Sequence, residues 1–141
     1  MIVLGAGCAG LACARALLDA GETPLVLDKA RGVGGRAATR RIDGQSVDHG
    51  VAFYHGSSPE LLAALDLVES EAKLEGWPES VVGDGVPCLP RALDAKERRV
   101  AFAEGVTMFP KSLAEGLDVR LQTRVHSLRL GDGTLEVDVG D

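Results

Sequence analysis

Gly5, Gly7 and Gly10 stand in the spacing G-x-G-x-x-G near the start of the chain, and an acid, Asp28, follows Gly10 by 18 residues. That pattern suits a dinucleotide, for which an acid about 20 residues beyond the glycines meets the ribose. Gly5 permits a sharp turn, Gly7 lets the backbone approach a pyrophosphate, and Gly10 lets a helix pack close to a strand. Ala6, Cys8 and Ala9 keep the same turn small. A helix opening there presents N–H groups and the positive end of its dipole to the phosphates. Asp28 can accept hydrogen bonds from ribose hydroxyls, and its charge repels a 2′-phosphate, so NADP is disfavoured.

A second cluster, Gly32-Val33-Gly34-Gly35-Arg36, lies just beyond Asp28, with Thr39, Arg40 and Arg41 close behind. Together with Lys29 and Arg31 it forms a basic island in a chain of net charge −6. Such a run can be simply a solvated surface. Between two glycine clusters it also suits an anionic ligand. An NAD-only site has no need of a second glycine-arginine loop, whereas FAD does. The backbone at Gly34 and Gly35 and the guanidinium of Arg36 can grip its pyrophosphate from the other side.

No other constellation competes. His49, His55 and His126 have no zinc-ligand spacing and no cysteine or carboxylate cluster beside them, so no metal is expected. No Ser-His-Asp or Cys-His arrangement marks a nucleophile, and no catalytic residue can be named. Cys8 reads as a small residue in the phosphate turn, and Cys13 and Cys88 as core residues. His126 is expected on the solvated face of its strand.

The elements that must carry these residues follow from periodicity. Met1–Leu4 reads as a buried strand, Gly10–Ala20 as a helix stopped by Gly21, and Leu25–Leu27 as a second buried strand closed by Asp28. The result is a right-handed βαβ unit. Ser58-Pro59-Glu60 opens a helix predicted to run to Lys73. Periodicity fades from Gly76 to Gly105, where Pro78, Pro87 and Pro90 interrupt any long element. A short helix runs from Pro110 to Glu115. Alternation from Val119 to Val139 around Gly131-Asp132-Gly133 predicts a β-hairpin.

The 141 residues are 45% hydrophobic and 26% charged, the profile of one globular domain, and only 4% aromatic, which leaves its core to Leu, Val and Ala. An acidic chain argues against nucleic acid or an anionic membrane as partner. No run approaches the roughly 18 apolar residues of a membrane span. Three cysteines without a C-x-x-C pair point to a reducing, cytoplasmic setting.

The segment from "GAGCAGLACARALLDAG" through "VLDKARGVGGRAATRR" to "VDHGVAFYHG" resembles the N-terminal part of the flavin-containing amine oxidoreductases. More narrowly, it is similar to bacterial renalase-like FAD oxidoreductases. The likeness runs from Ile2 to about His55 and resumes from Glu104 to Leu128. It implies an α/β fold: an incomplete Rossmann-like FAD-binding domain with a parallel sheet, the glycine-turn βαβ unit and an added β-hairpin. Residues 1–75 would form its first part, 76–108 the start or remnant of a substrate domain, and 109–141 the return to the FAD-binding domain.

The same resemblance implies residue roles. Gly5, Ala6, Gly7, Cys8, Ala9 and Gly10 would line the pyrophosphate, Asp28 and Lys29 the ribose, and Gly34, Gly35, Arg36 and Thr39 the second grip. The Asp48-His49-Gly50-Val51 segment would pass beside the flavin ring and ribityl chain, and Val125 would meet the adenine through its backbone. The implied activity is hydride removal from a dihydronicotinamide isomer or an amine, with dioxygen as electron acceptor. The chain departs from the family where Val51-Ala52-Phe53-Tyr54 replaces the common Ala-Gln-Tyr-Phe, in its scarce aromatic residues, and in its short length. A non-catalytic dinucleotide-binding module is the alternative reading.

Overall fold

The computed structural model describes residues 1–69, 71, 73–79 and 96–140. Among these, the chain passes through β1 (Ile2–Leu4), α1 (Cys8–Asp19), β2 (Leu25–Leu27), a 3-10 turn (Gly35–Ala37), β3 (Thr39–Ile42), β4 (Gln45–Asp48), β5 (Tyr54–Gly56) and α2 (Pro59–Asp66). It continues with β6 (Lys73–Glu75), β7 (Arg98–Phe102), α3 (Met108–Ala114), β8 (Asp118–Arg120), β9 (Ser127–Leu130) and β10 (Leu135–Asp138). Contacts divide it into two compact units, one of Met1–Gly35 with Leu113–Asp141 and one of Arg36–Ser112.

The first unit is built on a parallel sheet in the order β1-β2-β8. Val3 stands opposite Val26, and Val26 opposite Val119. α1 crosses over between β1 and β2, and Leu11 and Ala14 on its inner face join Ala6 and Val26 in a fully buried cluster. Complete burial of a Leu or Val contributes about 1.5–3 kcal/mol, so this small cluster is what holds crossover and sheet together. Gly21 ends α1 with φ +84, its N–H donating to the Leu18 carbonyl at 2.9 Å. This is the expected glycine stop.

Three expectations for this unit need correction. β1 is not buried, because it is the edge strand of the described sheet and leaves Ile2 and Leu4 exposed. Cys13 is an exposed residue, lying off the stripe that Leu11 and Ala14 present to the core. The alternation from Val119 to Val139 belongs to two structures. β8 joins the parallel sheet, and only β9 and β10 pair as a hairpin around Gly131-Asp132-Gly133. Between them Gln122 takes φ +54, and the N–H groups of Gln122 and Thr123 donate to the carbonyls of Ala30 and Asp28. Those bonds hold the chain to the end of β2 and break the long strand.

The second unit contains the β3–β4 hairpin and an antiparallel sheet in the order β5-β7-β6. Val100, Ala101 and Phe102 of β7 are all buried, so that strand is covered on both faces. Tyr54 packs edge-on against Phe109 with ring centroids 4.9 Å apart. α2 begins as expected, with Ser58 Oγ accepting from the Leu61 N–H at 3.2 Å. It stops at Asp66 rather than Lys73, because the Leu65 carbonyl is taken by the Val68 N–H and by Lys73 Nζ. α3 opens two residues before Pro110, a position in the first turn where proline's missing N–H is not needed. Cys88, Pro87 and Pro90 lie outside the described residues.

Candidate functional site

The glycine turn between β1 and α1 is held by its neighbours on both sides. The Gly5 N–H donates to the Leu27 carbonyl at 2.8 Å, which ties the turn to the end of β2. Gly5 has φ +101, a conformation other residues rarely adopt. A Cβ on Gly10 would run into the Gly5 carbonyl and lie 3.6 Å from Val3 Cγ1, so only glycine lets α1 start this close to the strand. A Cβ on Gly5 or Gly7 would meet nothing within 4 Å, and the space in front of the turn is open. Gly7 caps α1 without any side-chain hydrogen bond, and no acid lies in the first turn. The positive end of the helix therefore carries no acid within its own first turn.

Asp28 sits half-buried beyond the end of β2. Its Oδ2 accepts from the Ala6 N–H at 2.6 Å and its Oδ1 from the Ala30 N–H at 2.7 Å. Each carboxylate oxygen keeps a second acceptor position, so both can still receive ribose hydroxyls. Ala6 is the node of the arrangement. Its N–H goes to Asp28, and its carbonyl accepts from the Gly34 N–H at 2.8 Å. A parallel bridge pairs Gly7 with Gly34, and a Cβ on Gly35 would touch Gly7 Cα at 3.5 Å. The two glycine clusters, 24 residues apart between Gly10 and Gly34 in sequence, are thus one continuous backbone surface.

Beside Asp28 opens a pocket of about 210 Å³ lined by Leu4, Gly5, Leu27, Lys29, Thr123, Arg124 and Val125 as well as Asp28 itself. Gly5, Asp28, Lys29 and Val125 are candidates from the sequence, whereas Leu4, Leu27, Thr123 and Arg124 are not. Their signal is topological: β1, β2 and the chain beyond β8 all deliver residues to one end of a parallel sheet, where ligands of such folds bind. The apolar walls at Leu4 and Leu27 suit a flat base, and the polar groups suit a sugar.

Arg36, Thr39, His49, Gly50 and Val51 belong to the second unit. Arg36 and residues 49–51 are exposed. The Val51 N–H donates to the Arg36 carbonyl at 3.0 Å, and a Cβ on Gly50 would strike that same carbonyl, so the two segments lie against each other. Thr39 differs. Its hydroxyl donates to Asp48 Oδ1 at 2.6 Å and accepts from the Thr107 N–H at 3.1 Å, which engages it inside the unit. Among the described residues no three His, Cys, Asp or Glu side chains are grouped as a metal site would need, and no helix is long and apolar enough to cross a membrane.

Comparison with known proteins agrees with this geometry. Residues 3–68 match the family model described as NAD(P)-binding Rossmann-like domain. The chain is 35% identical over 81 residues to 15-cis-phytoene desaturase of Synechococcus elongatus, covering 57% of this chain and 17% of the relative. It is 37% identical over 90 residues to putrescine oxidase of Kocuria rosea, covering 64% of this chain and 18% of the relative. Wild-type putrescine oxidase bound to putrescine superposes with a TM-score of 0.66 at 19% identity, covering 97% of this chain and 54% of the other. OTEMO in complex with FAD and NADP gives a TM-score of 0.53 at 19% identity, over 97% of this chain and 21% of the other. The chain spans about half the length of the putrescine oxidase structure, and the matched stretches are less than a fifth of the curated relatives. Residues 3–68 thus match a Rossmann-like domain in sequence, and the chain shares the fold of the FAD-binding domain of flavin oxidoreductases.

Proposed function

We propose that this chain binds FAD and serves a flavin-dependent oxidoreductase. The observation that carries the reading is the junction of Asp28, the glycine turn and the second glycine cluster through Ala6. Asp28 and the backbone of Val125 take the adenosine end of FAD, the glycine turn and the uncapped end of α1 take the pyrophosphate, and Gly34, Gly35 and Arg36 take it from the second cluster. His49, Gly50 and Val51 attend the flavin portion. Residues 1–75 and 109–141 belong to the FAD-binding domain in this reading, and residues 76–108 to the edge of a substrate region.

Bound FAD supplies a hydride acceptor, and the chain's part is to bind and orient it. Renalase-like chemistry on dihydronicotinamide isomers and amine oxidation are the two substrate classes, with dioxygen as the terminal acceptor and the cytoplasm as the setting. Anaerobic mixing of the FAD-loaded chain with each class tests the catalytic part. Loss of the flavin's visible absorbance with one class assigns that class. A flavin that neither bleaches assigns the chain the binding role alone.

A further inference from the structure

The carboxylate of Asp48, at the end of β4, is bonded to two other segments of its unit. Its Oδ1 accepts from Thr39 Oγ1 at 2.6 Å, and its two oxygens accept from the Val106 N–H at 3.2 and 3.3 Å. Thr39 and Thr107 are joined reciprocally: the Thr39 N–H donates to Thr107 Oγ1 at 2.5 Å, and the Thr107 N–H donates to Thr39 Oγ1 at 3.1 Å. Thr107 Oγ1 also donates toward the Ala37 carbonyl at 3.3 Å. The far end of the Val106 peptide is fixed as well, its carbonyl accepting from the Tyr54 hydroxyl at 2.8 Å. A Cβ on Gly105 would collide with the Thr39 side chain, so the connection into α3 is seated directly on this cluster.

The two strand residues in the cluster flank the proposed flavin-side contacts. Thr39 follows the 3-10 turn that holds Arg36, and Asp48 immediately precedes His49, Gly50 and Val51. The Val51–Arg36 hydrogen bond closes the loop between those segments. We infer that Asp48, with Thr39 and Thr107, is a positioning device that holds Arg36 and residues 49–51, the segments proposed above to contact FAD, in their mutual arrangement within the second unit. Hydrogen bonds to a charged acceptor are among the stronger ones, and groups left unpaired after its removal destabilise the local structure further. This inference rests on the FAD reading above. In it Asp48 is a positioning residue that acts through those segments.

The test compares the full-length wild type with Asp48→Ala and Thr107→Val, and with Thr107→Ser, which keeps the hydroxyl. FAD and ADP affinities are measured by calorimetry, and amide hydrogen exchange is followed in the ligand-free chain. FAD binding should weaken about tenfold in Asp48→Ala and Thr107→Val while ADP binding stays at the wild-type value. Exchange should accelerate at Ala37 and Val51 but not in α1, and Thr107→Ser should behave as wild type. Unchanged FAD affinity and exchange in both variants would overturn the inference, as would equal weakening of FAD and ADP. A wild type that binds ADP but not FAD refutes the FAD reading itself, a result separate from either of those.

Discussion

At the scale of single residues, Asp28 and Gly10 carry different loads and fail differently. Asp28 is tied to Ala6 and Ala30 and still has acceptor positions for a ribose. Asp28→Ala should weaken FAD binding roughly 10- to 100-fold, since hydrogen bonds to a charged group contribute about 1.5–3 kcal/mol. His126→Ala, on the exposed part of the chain before β9, should leave FAD affinity at the wild-type value; equal losses in a fluorescence titration would contradict the assignment. Gly10→Ala attacks the turn by volume, because its methyl group would overlap the Gly5 carbonyl. Overpacking of this kind costs about 1–3 kcal/mol, to be read as a lower urea midpoint with unchanged slope. Gly10 was legible in the sequence because its spacing states its purpose. The role of Asp48 was not, because its partners at Thr39 and Val106 are brought to it only by folding.

At the scale of elements, the parts that could be read were those with a buried stripe or a strong punctuation signal. The crossover of β1, α1 and β2 has both, in the Leu11–Ala14 stripe and the Gly21 stop. The β3–β4 hairpin has neither buried face nor clear alternation, since Ile42 and Val47 are both exposed and basic residues fill β3. Only its Asp43-Gly44 turn, with φ +49 and +81, could have announced it. β7 was hidden for the opposite reason: covered on both faces, it shows no period that distinguishes a strand. β7 is also where the second unit is pinned by charge. Arg98 donates to Glu75 through Nε at 3.1 Å and Nη2 at 2.6 Å, and its Nη2 also lies 2.7 Å from Asp66 Oδ1. That hydrogen bond holds the Asp66 carboxyl below its ordinary value of 3.8, with the nearby charges of Arg98 and Lys73 adding to the effect. The hydrogen bonds that Arg98 donates to Glu75 and Asp66 likewise raise its guanidinium further. A lowered carboxylate stabilises the fold above its unfolded value and loses that contribution as pH falls through its folded one. Arg98→Met should therefore lower the thermal midpoint slightly at neutral pH. The difference from wild type should shrink below pH 3.8 and in high salt, as expected for a solvent-exposed pair. A difference independent of both would point to lost packing of the arginine stem instead.

At the scale of the whole molecule, two glycine clusters that are remote in sequence are joined in the fold. The second is bonded to the first through Ala6 and Gly34, and in the proposed reading the first takes a dinucleotide and the second makes it FAD rather than NAD. The parallel sheet and its glycine turn were readable in advance. The extent of the pocket was not, because Leu4, Thr123 and Arg124 meet Asp28 only when β8 joins β2. The acid at position 28 favours an unphosphorylated ribose and the basic second loop favours a pyrophosphate, so FAD should bind and NADP should not compete with it. The most direct measurement is a titration of the purified chain with FAD and, separately, with NAD, followed by flavin fluorescence and calorimetry alongside the visible spectrum of the protein as isolated. The expected result is saturable one-to-one FAD binding with a flavin spectrum and no comparable affinity for NAD. A colourless chain that binds NAD and leaves FAD free in solution would contradict it.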